Sequence, residues 1–344
     1  MQSSRRAFLF GRQRPRTSWE AFLQRLRRVV QGQVRTVGGE TANRARLLPV
    51  HREDVRQARA LCAEYGIVLR LTEPVDAGRA ADETGVRRAD ATAQDEAIVD
   101  KQDSSTSSQS DVLEVDPSRL DTLTHDPERG QWLAQPGCQV GELVRSGLPQ
   151  FRDAPPEWTL AAWLAASHAW PSRATAMSGV LGVDVLLADG TTEQLGPFGA
   201  ADVQPLRSAT VQRLVPALFQ MASSPDAIVC RATRQWPCRY RLDALLPAEP
   251  AVVNLAHLLL GHGGSLAWVE RVTLTSAASP VPQMDTHEAV DGDAAQSPGA
   301  IAGVVPNPLA SPADAPPSGE VRSAARRLQI RIKNAFDPMD LYAG

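Results

Sequence analysis

A histidine set among glycines and a close pair of arginines are the residues of this 344-residue chain whose type and spacing could support chemistry. His262 stands in Gly261-His262-Gly263-Gly264-Ser265. Imidazole titrates near neutrality, so it can act as a base where substrate reaches it. A lone histidine is more often structural than catalytic, and His168, just ahead of Trp170-Pro171, has the same two readings. Arg239-Tyr240-Arg241 could hold a carboxylate substrate, since the guanidinium fork suits bidentate recognition; a solvated strand edge is the plainer reading. The catalytic candidates are therefore His262, Arg239 and Arg241. No Ser/His/Asp order, P-loop or metal-spaced His/Cys cluster occurs. Cys62, Cys138, Cys230 and Cys238 are scattered without a Cys-x-x-Cys pair, and Cys62 reads as a small core residue.

The elements that must position these residues are legible in four segments. Ser178–Gly196 alternates apolar residues, turns at Asp189-Gly190 and restarts as a polar strand, which predicts a hairpin. In 46–71, Leu47–Val50 reads as a strand, and Arg52–Tyr65 as a helix with Val55, Ala58, Leu61 and Cys62 on one stripe. Gly66 stops that helix before a second strand at Ile67–Leu71. In 112–143 the order is strand, Asp-Pro turn, strand, Pro136-Gly137 and a helix start. In 254–274 an apolar, helix-like run leads through a glycine-rich break into a strand at Ala267–Leu274.

In this order the segments resemble the FAD-binding domain of the vanillyl-alcohol oxidase/p-cresol methylhydroxylase family, and most nearly the FAD-domain subunit of bacterial glycolate oxidase. The matching pieces are Gly66-Ile67, Val115–Leu120, Pro136-Gly137, Val180–Gly190, Gly261–Leu266 and the tail Ile332–Tyr342. The resemblance implies an α+β fold, the PCMH-type FAD-binding fold of two α/β subdomains, here with a reduced or missing cap. It implies a flavin-dependent oxidoreductase that removes hydride from a 2-hydroxy acid, with the cofactor supplying the chemistry. Its partner would be another flavoprotein or an iron–sulfur subunit. Carried over by motif position, the cofactor contacts would be Pro136, Gly137, Thr159, Ala161, Ala162, Ser178, Gly179 and Val183. Taken singly, each glycine could equally be a turn residue.

The departures are as informative. The family holds pyrophosphate in a glycine-rich loop after the Gly-Ile strand, because bare backbone lets phosphate reach inward-turned N–H groups. Here Thr72–Arg79 offers two carboxylates and one glycine, and Thr-x-Gly-Gly has become Thr159-Leu160-Ala161-Ala162. No flavin-attachment His or Cys is recognisable. FAD is therefore expected non-covalently, weakly or not at all, and the alternative function is a non-catalytic FAD-fold subunit that serves assembly with a flavoenzyme partner.

The expected organisation is a basic arm and amphipathic helix over 1–35, a first βαβ part over 36–71 and an acidic, Ser-rich linker over 72–111. The main domain covers 112–275, with a cap remnant near 203–250, followed by a Pro/Ala-rich linker over 276–319 and a terminal helix and tail over 320–344. Ser4–Leu9 copies a twin-arginine export signature, but arginines rather than an apolar region follow it, so a cytoplasmic arm is expected. Thr17 and Glu20 have capping-box spacing, and Trp19, Phe22, Leu23, Leu26, Val29 and Val30 make one helical stripe. That stripe could dock a partner, lie on a membrane surface or pack on its own domain. A net charge of −3 implies no general attraction to nucleic acid, the tryptophans lack an interleaved basic groove, and no run is long enough to span a membrane.

Overall fold

The computed structural model describes residues 19–37, 43–72, 111–168, 170–199, 205–277 and 319–343. The export-like motif, Thr17, both linkers except at their ends, and the Thr72–Arg79 loop beyond Thr72 lie outside the described residues. Among the described residues the main chain builds two five-stranded sheets.

The first sheet has the order β1 (Gln33–Thr36), β2 (Arg44–Leu48), β4 (Val112–Val115), β3 (Val68–Leu71), β10 (Tyr342–Ala343). β1 pairs antiparallel to β2, and the remaining pairs are parallel. α2 (Arg52–Tyr65) forms where its apolar stripe requires it and ends at Gly66, whose φ of 70° is the left-handed conformation a glycine supplies without strain. Strand β2 starts and stops earlier than the apolar run suggested. Pro49 has no N–H to extend the ladder, and the N–H groups of Val50 and His51 turn to the Asp54 carboxylate, which also takes those of Gln31 and Gly32.

α1 (Trp19–Val29) shows where the N-terminal stripe packs. Phe22, Leu23 and Leu26 are buried in the same core as Val55, Ala58, Leu61 and Cys62, leaving Arg27 and Arg28 outside. The stripe is therefore occupied by its own domain. Val29 departs from the expected face and is exposed.

The second sheet is antiparallel throughout, in the order β5 (Leu123–Asp126), β6 (Gln131–Ala134), β9 (Trp268–Leu274), β7 (Val180–Leu186), β8 (Thr192–Leu195). β7 and β8 are the predicted hairpin: Gly190 has φ 91°, and Asp189 accepts a hydrogen bond from the Thr191 N–H. α3 (Val140–Arg145), α4 (Leu160–Ala165), α5 (Ala209–Ala222), α6 (Pro225–Arg231) and α7 (Gly319–Phe336) pack into the second core. The 205–250 region is thus part of that core rather than a separate layer. The apolar run at Leu255–Leu259 is a 3-10 turn opened by Asn254, not an α-helix.

After α7 the chain crosses back to the first sheet. Asp337 accepts the N–H groups of Leu341 and Tyr342 and pairs with Lys333, so the Phe-Asp-Pro motif folds the tail onto β3. The two sheets are joined through polar contacts as well as apolar ones. Arg56 on α2 makes two hydrogen bonds of 2.6 Å to the buried Glu270 on β9. Arg59 donates to the Ala188 carbonyl, and the Tyr342 hydroxyl donates to the Leu186 carbonyl.

Removing Arg56 leaves the Glu270 carboxylate buried without its partner. Arg56→Met is expected to lower unfolding free energy by about 3 kcal/mol, and adding Glu270→Leu to restore much of it. Chemical denaturation of the two variants measures this; equal losses in both would show that the pair does not join the sheets.

Candidate functional site

Pro136 and Gly137 follow β6, and Thr159–Ala162 open α4. These two stretches meet: the Ala161 N–H donates to the Pro136 carbonyl, and the Leu160 N–H to that of Cys138. The Thr159 hydroxyl caps α4 by accepting from the Ala162 N–H at 3.2 Å. Ser178 and Gly179 precede β7, level with Thr275 just beyond β9. β6 pairs its last residue, Ala134, with Val272, three residues short of Thr275, and the chain then continues through Pro136 away from that end. Val183 lies inside the second sheet between Leu195 and Val272, 1% exposed.

A pyrophosphate seat needs backbone N–H groups turned toward open space. Here the donors are committed within the protein. Gly137 donates to the Leu120 carbonyl at 2.7 Å and Gly179 to that of Ala176 at 3.2 Å. The space beside the glycines is also taken. A β-carbon on Gly137 would fall 2.0 Å from the Pro117 carbonyl oxygen, and one on Gly179 2.5 Å from that of Thr275. Both positions require glycine because backbone meets backbone there.

The glycine-rich run behaves alike. Gly261, Gly263 and Gly264 all have positive φ. The N–H groups of Gly261 and Gly263 donate to Leu164 and Ala165, closing the C-terminal end of α4. Gly264 lies against Leu71, the last residue of β3, so the run is where the two halves of the molecule touch. Between the sheets, Leu69, Leu71, Ala161, His262, Trp268 and Tyr342 surround a space of only about 10 Å³. That holds at most a water-sized occupant. The residues described around this crevice do not fit FAD.

Two buried polar atoms in that crevice, His262 Nδ1 and Trp268 Nε1, have no hydrogen-bond partner among the described residues. Burial, with the nearby Arg239 charge as a lesser cause, pushes the His262 pKa down to about 3, so the ring is neutral at physiological pH. His262 is sealed between the sheets rather than presented to a substrate.

Arg239 and Arg241 do not form the strand edge expected for them; among the described residues this stretch leads into a 3-10 turn at Leu242–Leu245. Arg241 is buried and forks onto Asp243 at 3.0 and 2.8 Å, with a further bond to the Pro171 carbonyl. Arg239 is exposed. Both line a separate cavity of about 320 Å³, together with His168, Trp170, Trp236 and Leu260. His168 donates from Nε2 to the Trp163 carbonyl and stacks on Trp170, and burial lowers its pKa to about 4. His257 is likewise pushed down to about 4 by burial, between Thr175 and the Val180 carbonyl. Asp243 carries no sequence signal, Trp268 reads from the sequence as a packing residue and Tyr342 as part of the family-like tail. Their roles arise from contacts across the fold that no local spacing announces.

Among the described residues no group of three or more His, Cys, Asp or Glu side chains could hold a metal ion, and no helix is long and apolar enough to cross a membrane. No protein-family model matches the chain, and no curated protein matches it. Solved structures do resemble it at low identity. Physcomitrella patens BBE-like 1 aligns at 12% identity and a TM-score of 0.37, over 75% of this chain and 44% of that one. An alkyldihydroxyacetonephosphate synthase aligns at 12% and 0.39, over 75% and 40%. 6-Hydroxy-D-nicotine oxidase from Arthrobacter nicotinovorans aligns at 11% and 0.37, over 72% and 42%. The chain therefore spans less than half the length of these structures.

His168, His257 and His262 stay neutral in the folded protein down to about pH 4, 4 and 3, whereas in the unfolded chain each binds a proton near 6.5. The unfolded state thus takes up more protons below that value, and stability must fall as pH drops from about 6.5 toward 4. Each histidine contributes up to about 1.4 kcal/mol per pH unit in this window. Urea unfolding at pH 7 and pH 5 is expected to show the loss, and His257→Gln to reduce its slope; the same slope in that variant would mean that His257 ionises freely in the fold.

Proposed function

We propose that this chain is a non-catalytic subunit of a flavin-dependent oxidoreductase assembly. It keeps the two-sheet plan of a flavin-binding domain, while its own crevice is filled by side chains. The observation that carries this reading is the state of the would-be contacts: the Gly137, Ala161, Ala162 and Gly179 N–H groups are all bonded internally, and the space between the sheets, which Ala161 lines, is only about 10 Å³. Redox turnover would then reside in a partner, another flavoprotein or an iron–sulfur subunit, and a 2-hydroxy acid would be that assembly's substrate. Because the apolar stripe of α1 is buried in its own domain, assembly would use a different surface.

A second reading, FAD held non-covalently by this chain itself for oxidation of a 2-hydroxy acid, is favoured by His262 Nδ1 and Trp268 Nε1, which have no partner among the described residues. Buried polar atoms without partners are rare, and a polar occupant between the sheets would satisfy them.

The two readings part on one titration. Purified full-length protein is expected to be colourless and to leave flavin fluorescence unchanged when FAD is added. Ala161→Gly/Ala162→Gly is expected to behave the same, since committed donors, not two β-carbons, close the seat. Saturable flavin binding by the unaltered chain would overturn the first reading and establish the second.

A further inference from the structure

We propose that the cavity beside Arg239 is a binding site for a small carboxylate with an aromatic body. The cavity measures about 320 Å³, within the range of small-molecule sites and suited to a single-ring ligand. Its walls are mixed in chemistry. Trp170, Trp236 and Leu260 supply apolar surface, Arg239 and Arg241 supply positive charge, and Ser167 and Gln329 add uncharged polar groups. Trp236 is fixed by a 2.7 Å hydrogen bond from Nε1 to the Tyr240 carbonyl, and Trp170 by stacking on His168 with ring centres 4.3 Å apart.

The two arginines are not equivalent. Arg241 is neutralised by its fork onto Asp243, so its charge is already answered inside the protein. No ion pair or hydrogen bond joins Arg239 to any acidic side chain among the described residues. Its guanidinium rests beside Gly263, where a β-carbon would fall 2.2 Å from Nη2 and 2.4 Å from Cζ. The side chain starts from an exposed position at the cavity wall, so the guanidinium can turn to meet an anion there.

These features select the ligand class. One uncommitted guanidinium matches one carboxylate in charge and in its two-pronged geometry. A phosphate dianion would keep an unanswered charge against tryptophan and leucine. His168 adds no cation: Nε2 donates to the Trp163 carbonyl and the ring is neutral, so its other nitrogen can only accept. Tryptophan faces and Leu260 leave the body of the ligand apolar, for which a benzene ring is the simplest fit.

The experiment titrates full-length protein with benzoate, benzyl alcohol and inorganic phosphate, reading intrinsic tryptophan fluorescence with calorimetry as a check. Benzoate is expected to bind saturably, and both comparators roughly tenfold or more weakly. Arg239→Gln, at an exposed position that leaves the core intact, is expected to weaken benzoate by a similar factor, with Arg239→Lys intermediate. Equal binding of benzoate and benzyl alcohol, tighter binding of phosphate, no effect of Arg239→Gln, or no saturable benzoate binding would each overturn the assignment. None of these outcomes depends on whether the chain binds flavin.

Discussion

The contact on which the rest of the molecule depends is the one between Arg56 and Glu270. It joins a helix of the first layer to the central strand of the second, across a sequence separation of 214. Two charges taken from water recover that cost only when the geometry is good, and here the guanidinium and carboxylate meet at 2.6 Å through two parallel bonds. Arg59 on the Ala188 carbonyl and Tyr342 on the Leu186 carbonyl add directional contacts to the same face. Apolar packing alone would let the layers slide; these bonds fix how they sit. The layers so fixed bring Leu71, Trp268 and Tyr342 together and leave almost no space between the sheets.

Glycines illustrate how one residue type can carry either a ligand or a fold. Phosphate loops use glycine so that N–H groups face outward, toward an anion. Gly137 and Gly179 use the same freedom in the opposite sense, letting one stretch of backbone pass within contact of another while each N–H is satisfied by a neighbouring carbonyl. The glycine-rich run at 261–264 caps α4 in the same manner. The family-like order of motifs is therefore accounted for by architecture, because every one of these glycines has a backbone reason to be there.

This distinction sets what could be read from the chain before its fold was known. α2 ran from Arg52 to Tyr65 as its stripe and Gly66 indicated, and the hairpin turned at Asp189-Gly190, because both depend on neighbours within a few residues. Strand β2 ended early because Pro49 and Asp54 compete with the ladder, an interaction also local but weaker than the apolar signal. Leu255–Leu259 read as a helix on composition alone and folded as a 3-10 turn, five residues being too few for α-helical hydrogen bonds to accumulate between Asn254 and Gly261. The site was the least legible part. Arg241 beside Asp243 looks like any solvated pair until burial is known, and the filling of the crevice by Tyr342 and Trp268 requires the tail to return across the whole domain.

His262 ties the crevice and the outer cavity together. The run that contains it is the wall between them: Gly261 lines the cavity, while His262 and Gly264 line the crevice. Arg239, on the cavity side, packs on Gly263, and its charge is one of the causes that keep His262 unprotonated. The larger cause is burial, which an occupant of the cavity would not relieve. An anion paired with Arg239 would offset the field of that guanidinium and remove the lesser cause alone. The imidazole would stay neutral, and the packing between the sheets would be preserved whether or not the cavity is filled. Two spaces a residue apart are thus insulated from each other by desolvation: the cavity can exchange a ligand with solvent while the crevice, sealed by Leu71, Trp268 and Tyr342, holds the layers in place.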